Sequence, residues 1–158
     1  MANTQAMCTS FMGQLLTATH NFGTAPTRGA STADTFKAAL YLATATVNAS
    51  TTAYSATNEV SGTNYTAGGE TISGWNAPTA TNSSATAGVA FTTPTASITY
   101  TNVTLTTAFD CVLIYNSTQS NKAVSVHTFG SQTITAGTFT LTMPTNNTTN
   151  ALLRLATT

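Results

Sequence analysis

The run from Ala108 to Tyr115 constrains this chain most, because it is apolar almost throughout and too short for a buried helix. Phe109, Cys111, Leu113 and Tyr115 fall on one side of a period-two pattern, with Asp110, Val112 and Ile114 on the other. A strand apolar on both sides belongs in the middle of a sheet that is covered on both faces. The rest of the chain must therefore supply partner strands and a layer for each face.

Partner strands are readable. Asp34 to Thr44 alternates, with Phe36, Ala38, Leu40 and Leu42 opposite Lys37, Ala39, Tyr41 and Ala43. Shorter candidates are Glu70 to Trp75, Thr86 to Thr92 and Ile98 to Thr106, with Pro78 and Pro94 limiting pairing nearby. After a turn over Asn116 to Lys122, strands are expected at Ala123 to Phe129, beyond a break at Gly130 from Thr138 to Met143, and at Ala151 to Ala156 inside the sheet. The stretch Ser50 to Glu59 reads as a short helix or turn, and Ser61-Gly62 with Gly68-Gly69 bracket an exposed loop.

Only one segment has clear helical spacing. Met7, Phe11 and Leu15 form an i, i+4 row that Met12 and Leu16 widen, which predicts a helix over Thr4 to Thr19 capped by Asn3 or Thr4. Residues 21–33 then form an irregular connection. About eight closely spaced strands, one N-terminal helix and no βαβ rhythm predict a mainly β fold, an antiparallel two-sheet sandwich of jelly-roll-like or immunoglobulin-like type. The whole chain, residues 1–158, is expected to form one domain.

Composition bears on function. Charged residues make up 5% of the chain and the formal net charge is zero, while Thr supplies about a quarter of all positions. With no basic stripe to neutralise phosphates, nucleic acid is not an expected direct partner. A neutral surface lacks the self-repulsion that keeps free proteins apart, which suits a chain that works packed against neighbours. Seven Phe, five Tyr and Trp75 nevertheless argue for a packed core over disorder. Neither a signal peptide nor a membrane span is expected, because no charged n-region precedes an apolar run and no apolar stretch is long enough to cross a bilayer. Cys8 and Cys111 have no metal-binding spacing and read as buried small hydrophobes.

The chemistry-bearing inventory is small: Asp34, Glu59, Glu70, Asp110, His20 and His127. No nucleotide-binding, nucleophile-elbow, zinc-protease or calcium-loop spacing occurs, so no catalytic residue, cofactor site or metal site is expected. His127 lies on the polar side of its strand, and His20 at the end of the expected helix, where the helix dipole favours a cation. The Thr-x-Thr triplets, among them Thr104 with Thr106 and Thr140 with Thr142, lack the fixed repeat of an ice-binding array and read as solvated strand faces. Interface candidates are the aromatic residues with polar tips near turns and the scarce charges: Arg28, Tyr54, Glu59, Tyr65, Trp75 and Arg154. Arg28 and Arg154 are also candidates for ion pairs with Asp34 or Glu59. Trp75 with Asn76 is the natural sugar-stacking candidate.

Three segments carry a resemblance: Asp34 to Leu42 (DTFKAALYL), Thr52 to Gly69 (TAYSATNEVSGTNYTAGG) and Leu113 to Ala123 (LIYNSTQSNKA). In order and spacing they resemble a family of small tailed-bacteriophage virion structural proteins, capsid decoration-like or head- and tail-associated. The resemblance implies a virion component made in the host cytoplasm, with the major capsid protein and copies of itself as partners and no catalytic residues to carry over. The expected role is a capsid decoration, or cement, protein acting as a homotrimer at symmetry axes on the capsid surface. A tail or head-tail component and a receptor- or glycan-binding adhesin are the alternatives.

Overall fold

A computed structural model describes residues 3–16, 18–22, 33–81 and 88–156. Its framework is a hairpin of two long strands, named here β6 (Ile98–Asn116) and β7 (Lys122–Leu141). Around the hairpin stand β1 (Ala6–Met7), β2 (Phe36–Leu42) and β3 (Glu70–Thr71), giving a five-stranded antiparallel sheet in the order β1-β7-β6-β2-β3. A second antiparallel sheet holds β4 (Thr79–Thr81), β5 (Val89–Thr92) and β8 (Leu153–Ala156), in the order β4-β5-β8. A short helix, α1 (Thr9–Leu16), follows β1. The architecture is the mainly β, two-sheet, sandwich-like arrangement that the alternation predicts.

The end of β6 occupies the centre, as its apolar run requires. Val112 pairs with Leu40 on one side and His127 on the other, and Leu113 with Ala39 and Val126. One face of the sheet therefore carries Ala38, Leu40, Val112, Ile114, Ser125 and His127, and the opposite face Ala39, Tyr41, Cys111, Leu113, Tyr115 and Val126. Every residue from Cys111 to Asn116 is buried, so both faces are covered. Leu153 of β8 and Ile72 join the same core, together with Phe11 of α1.

Several elements differ from expectation, each for a local reason. The expected helix loses its first turn to β1, where Ala6 and Met7 pair with Val126 and Ser125, an alternative that satisfies the same backbone groups against β7. Asn3 caps nothing; its side chain donates to the Leu42 carbonyl and to Asp110 Oδ1 and accepts from Val47 N. Ala18, at φ 52°, turns the chain out of the helix in the left-handed region, and Thr19 N closes onto the Gln14 carbonyl. The strands expected on either side of Thr107 are one strand, as are those on either side of Gly130. Register shifts absorb the breaks: between Phe109 and Cys111 the partner runs from Gln132 to Thr128, so the extra residues around Gly130 bulge out without ending the strand. Ser50 to Glu59 forms turns and no helix, and the Glu70 to Trp75 strand shortens to Glu70–Thr71 plus one bridge from Trp75 to Pro94. The C-terminal strand lies at an edge, not inside, with Leu153 buried and Leu155 exposed.

Candidate functional site

Tyr54, Glu59 and Tyr65 converge on one carboxylate. Residues 43–69 cross from β2 to β3 as a long connection held by backbone bonds at several points: Leu42 N to the Asn58 carbonyl, Val60 N to the Leu40 carbonyl, and Tyr54 N to the Asn121 carbonyl. This brings Glu59 inside. Its Oε1 accepts from the Tyr65 hydroxyl and from Gly68 N, both at 2.7 Å, and its Oε2 accepts from the Tyr54 hydroxyl at 2.6 Å. Tyr65 Oη also accepts from Leu40 N at 3.0 Å, so one phenol links β2 to the carboxylate.

Aromatic stacking closes the arrangement. Tyr54 stacks on Tyr115 with ring centroids 4.7 Å apart, and the Tyr115 hydroxyl donates to the Gly68 carbonyl at 2.8 Å. Tyr65 stacks on Tyr100, whose hydroxyl donates to the Ala38 carbonyl at 2.7 Å. Burial, reinforced by the Glu59 charge, holds the Tyr54 and Tyr65 phenols far above their usual range and pushes Tyr115 up to about 12, so all three stay protonated donors. Gly69 is obligatory here: its φ is +72°, and a Cβ would lie 1.8 Å from the Ala38 carbonyl oxygen.

A second polar cluster surrounds Asp34. Oδ2 accepts from Asn21 N at 2.9 Å and from Asn116 Nδ2 at 2.7 Å, while Oδ1 accepts from Gln119 Nε2 at 3.1 Å. Asn116, fully buried, also places Nδ2 3.0 Å from His20 Nδ1, and its Oδ1 accepts from the backbone N–H groups of Thr118 and Gln119 in the hairpin turn. An amide N–H₂ can only donate, so His20 Nδ1 is the acceptor and Nε2–H donates to Gln14 Oε1 at 2.7 Å. His20 is thus a neutral tautomer wedged against Phe11 and Phe36, not the helix-end cation expected; burial lowers it to about 4, although Asp34 pulls the other way.

The remaining candidates separate. Trp75 is buried at 8% exposure, with Phe22 and Phe36 edge-on to its indole at 4.8 and 5.4 Å, so its rings are not presented for sugar stacking. Its indole N–H has no acceptor among the described residues. Arg154 is exposed on β8 beside its partner Phe91, and among the described residues it forms no ion pair with Asp34, Glu59 or any other carboxylate. Arg28 lies outside the described residues. Cys8 and Cys111 are buried free thiols that desolvation raises to about 11 and 12. Among the described residues no group of three or more His, Cys, Asp or Glu side chains converges as a metal site would require.

Sequence reasoning singled out Tyr54, Glu59 and Tyr65 as interface candidates, not as one bonded cluster, and missed Asn116 and the role of Tyr115. An Asn at the end of a buried strand, directly before a turn, was the available signal for Asn116, since Asn side chains there bond the turn's own N–H groups. Comparison with protein-family models, with curated proteins and with solved structures found no match to this chain.

Proposed function

We propose that this chain is a non-catalytic structural protein of a tailed-phage virion, acting as a capsid decoration protein that ties neighbouring capsid subunits together as a homotrimer. The observation that carries the assembly part is how the scarce polar chemistry is spent. Asp34, Glu59 and Asp110 all accept hydrogen bonds from within the chain, and neither histidine is a free cation. Much of the outward surface is uncharged and Thr-rich, such as β7 from Ser131 to Leu141, which carries no charged side chain. Uncharged strands of this kind can be buried against a neighbour without desolvating ions, a cost of several kcal/mol per ion in an interface.

The phage part rests on the three segments that carry the resemblance, which lie together in the fold. DTFKAALYL supplies Leu40, TAYSATNEVSGTNYTAGG supplies Tyr54, Glu59, Tyr65 and Gly68, and LIYNSTQSNKA supplies Tyr115 and Asn121. The three segments therefore build one bonded unit that fixes the long connection to the central sheet.

Re-addition tests the role. Heads stripped of the protein should lose packaged DNA at lower temperature, and purified protein should restore the original release temperature. In analytical ultracentrifugation the free protein should sediment at three times its 16.2 kDa chain mass. Restoration by no concentration of protein would reject decoration and favour a tail or head-tail component.

A further inference from the structure

On the face of the sheet opposite the tyrosine network, the β6–β7 hairpin bends over a half-open cavity of about 310 Å³. Val112 and Ile114 line it from the centre of the sheet, Phe139 from the far end of the hairpin, and Leu152 from the segment leading into β8. His127 and Gln132 join them, with the hydroxyls of Thr128, Thr140 and Thr142, and no Asp, Glu, Lys or Arg does. The volume is about twice the roughly 150 Å³ that suffices to hold a benzene molecule in an apolar protein cavity, and reaches the lower end of ordinary small-ligand sites.

The polar groups are half-satisfied in a specific way. His127 Nε2 lies 2.9 Å from Ser125 Oγ, which leaves Nδ1 without a partner among the described residues. Gln132 Nε2 donates to the Gly130 carbonyl at 3.0 Å, which leaves Oε1 likewise. Burial lowers His127 to about 4, so at neutral pH the ring carries no charge. A neutral imidazole nitrogen and an amide oxygen beside aliphatic and aromatic walls match a molecule that is mostly apolar and carries one hydroxyl, able both to donate and to accept. An anion would meet no cation here, and a cation no carboxylate.

We propose that this cavity is a binding site for a small, uncharged, mostly apolar molecule bearing a hydroxyl group, with His127 and Gln132 holding the hydroxyl. The site shares Gln132 and Phe139 with the stretch of β7 offered above for assembly, so it is tested on the free chain, where no neighbour covers it.

Phenol, toluene and benzoate are the probes, titrated into the full chain at pH 7.5 and followed by methyl NMR at Ile114 and Leu152. Phenol should bind saturably at millimolar concentration, about fivefold or more tighter than toluene, because its hydroxyl can bond His127 and Gln132 and toluene has no such group. Benzoate should bind at least as weakly as toluene. In Gln132→Leu, at an exposed position that leaves the fold intact, the preference for phenol over toluene should shrink; in His127→Phe it should vanish. Leu152→Trp, which fills the cavity, should abolish binding of all three. Absence of saturable phenol shifts in the wild-type chain, an equal response to toluene, or undiminished binding in Leu152→Trp would each overturn the proposal.

Discussion

Replacing Glu59 probes the tyrosine network most sharply, because its three donors differ in what they can do once the carboxylate is gone. Gly68 N–H is buried and has no other acceptor among its bonds, and the Tyr65 hydroxyl points inward while accepting from Leu40 N. Tyr54, half-buried, can turn its hydroxyl to water. In Glu59→Ala two donors are therefore stranded, each at a cost of about 1–2 kcal/mol, giving a loss of about 3 kcal/mol. Glu59→Gln behaves differently. Tyr65 and Gly68 share Oε1, so a glutamine oxygen placed there keeps both bonds, and its Nε2 meets Tyr54 Oη, which can accept. Only the charge assistance is lost, about 1 kcal/mol. With a urea slope of about 2 kcal/mol per molar, the unfolding midpoint should fall by about 1.5 M in Glu59→Ala and about 0.5 M in Glu59→Gln. Equal shifts in the two variants, or none in Glu59→Ala, would refute the claim that this carboxylate anchors the connection.

Other perturbations have equally definite outcomes. His20 binds a proton less readily when folded, about 4 against 6.5, so the unfolded chain holds more protons between those values; stability is intact above pH 6.5 and falls as pH drops toward 4. The His20 share of the loss, up to about 3 kcal/mol, adds to that of His127, which burial lowers in the same window, and the fall in urea midpoint should shrink by that share in His20→Gln. Gly69→Ala drives a Cβ into the Ala38 carbonyl at a positive φ and should leave little folded protein by circular dichroism. Phe36→Ala removes a fully buried ring from the cluster with Phe22 and Trp75, and should cost about 3–5 kcal/mol in the same urea assay. Cys8 and Cys111 should resist a thiol reagent at pH 8 until denaturant is added, because burial keeps both protonated; prompt modification of the native chain would contradict their placement.

The strands were legible wherever one face is consistently apolar. Phe36 to Leu42 and Cys111 to Tyr115 follow that rule closely, since period two has a physical cause in the pleat. Continuity was not legible: nothing local distinguishes a strand end at Gly130 from a bulge, because the answer lies in the β6 register opposite it. β1 was hidden for a related reason, as residues 4–8 carry a helical stripe that pairing with β7 overrides. At the site, Tyr54, Glu59 and Tyr65 stood out by scarcity and residue type, but scarcity does not say whether a polar group faces a partner or the interior. That depends on Leu40 N and Gly68 N being within reach, which only the fold determines. The same holds for Trp75, whose burial is set by Phe22 arriving from a connection without recognisable pattern.

The central functional claim is a count. Quantitative mass spectrometry of intact virions, measuring this chain against the major capsid protein, should return copies in the hundreds, in simple proportion to the capsid's symmetry axes. A value near a dozen or fewer would place the chain at a unique vertex or in the tail and contradict the decoration role.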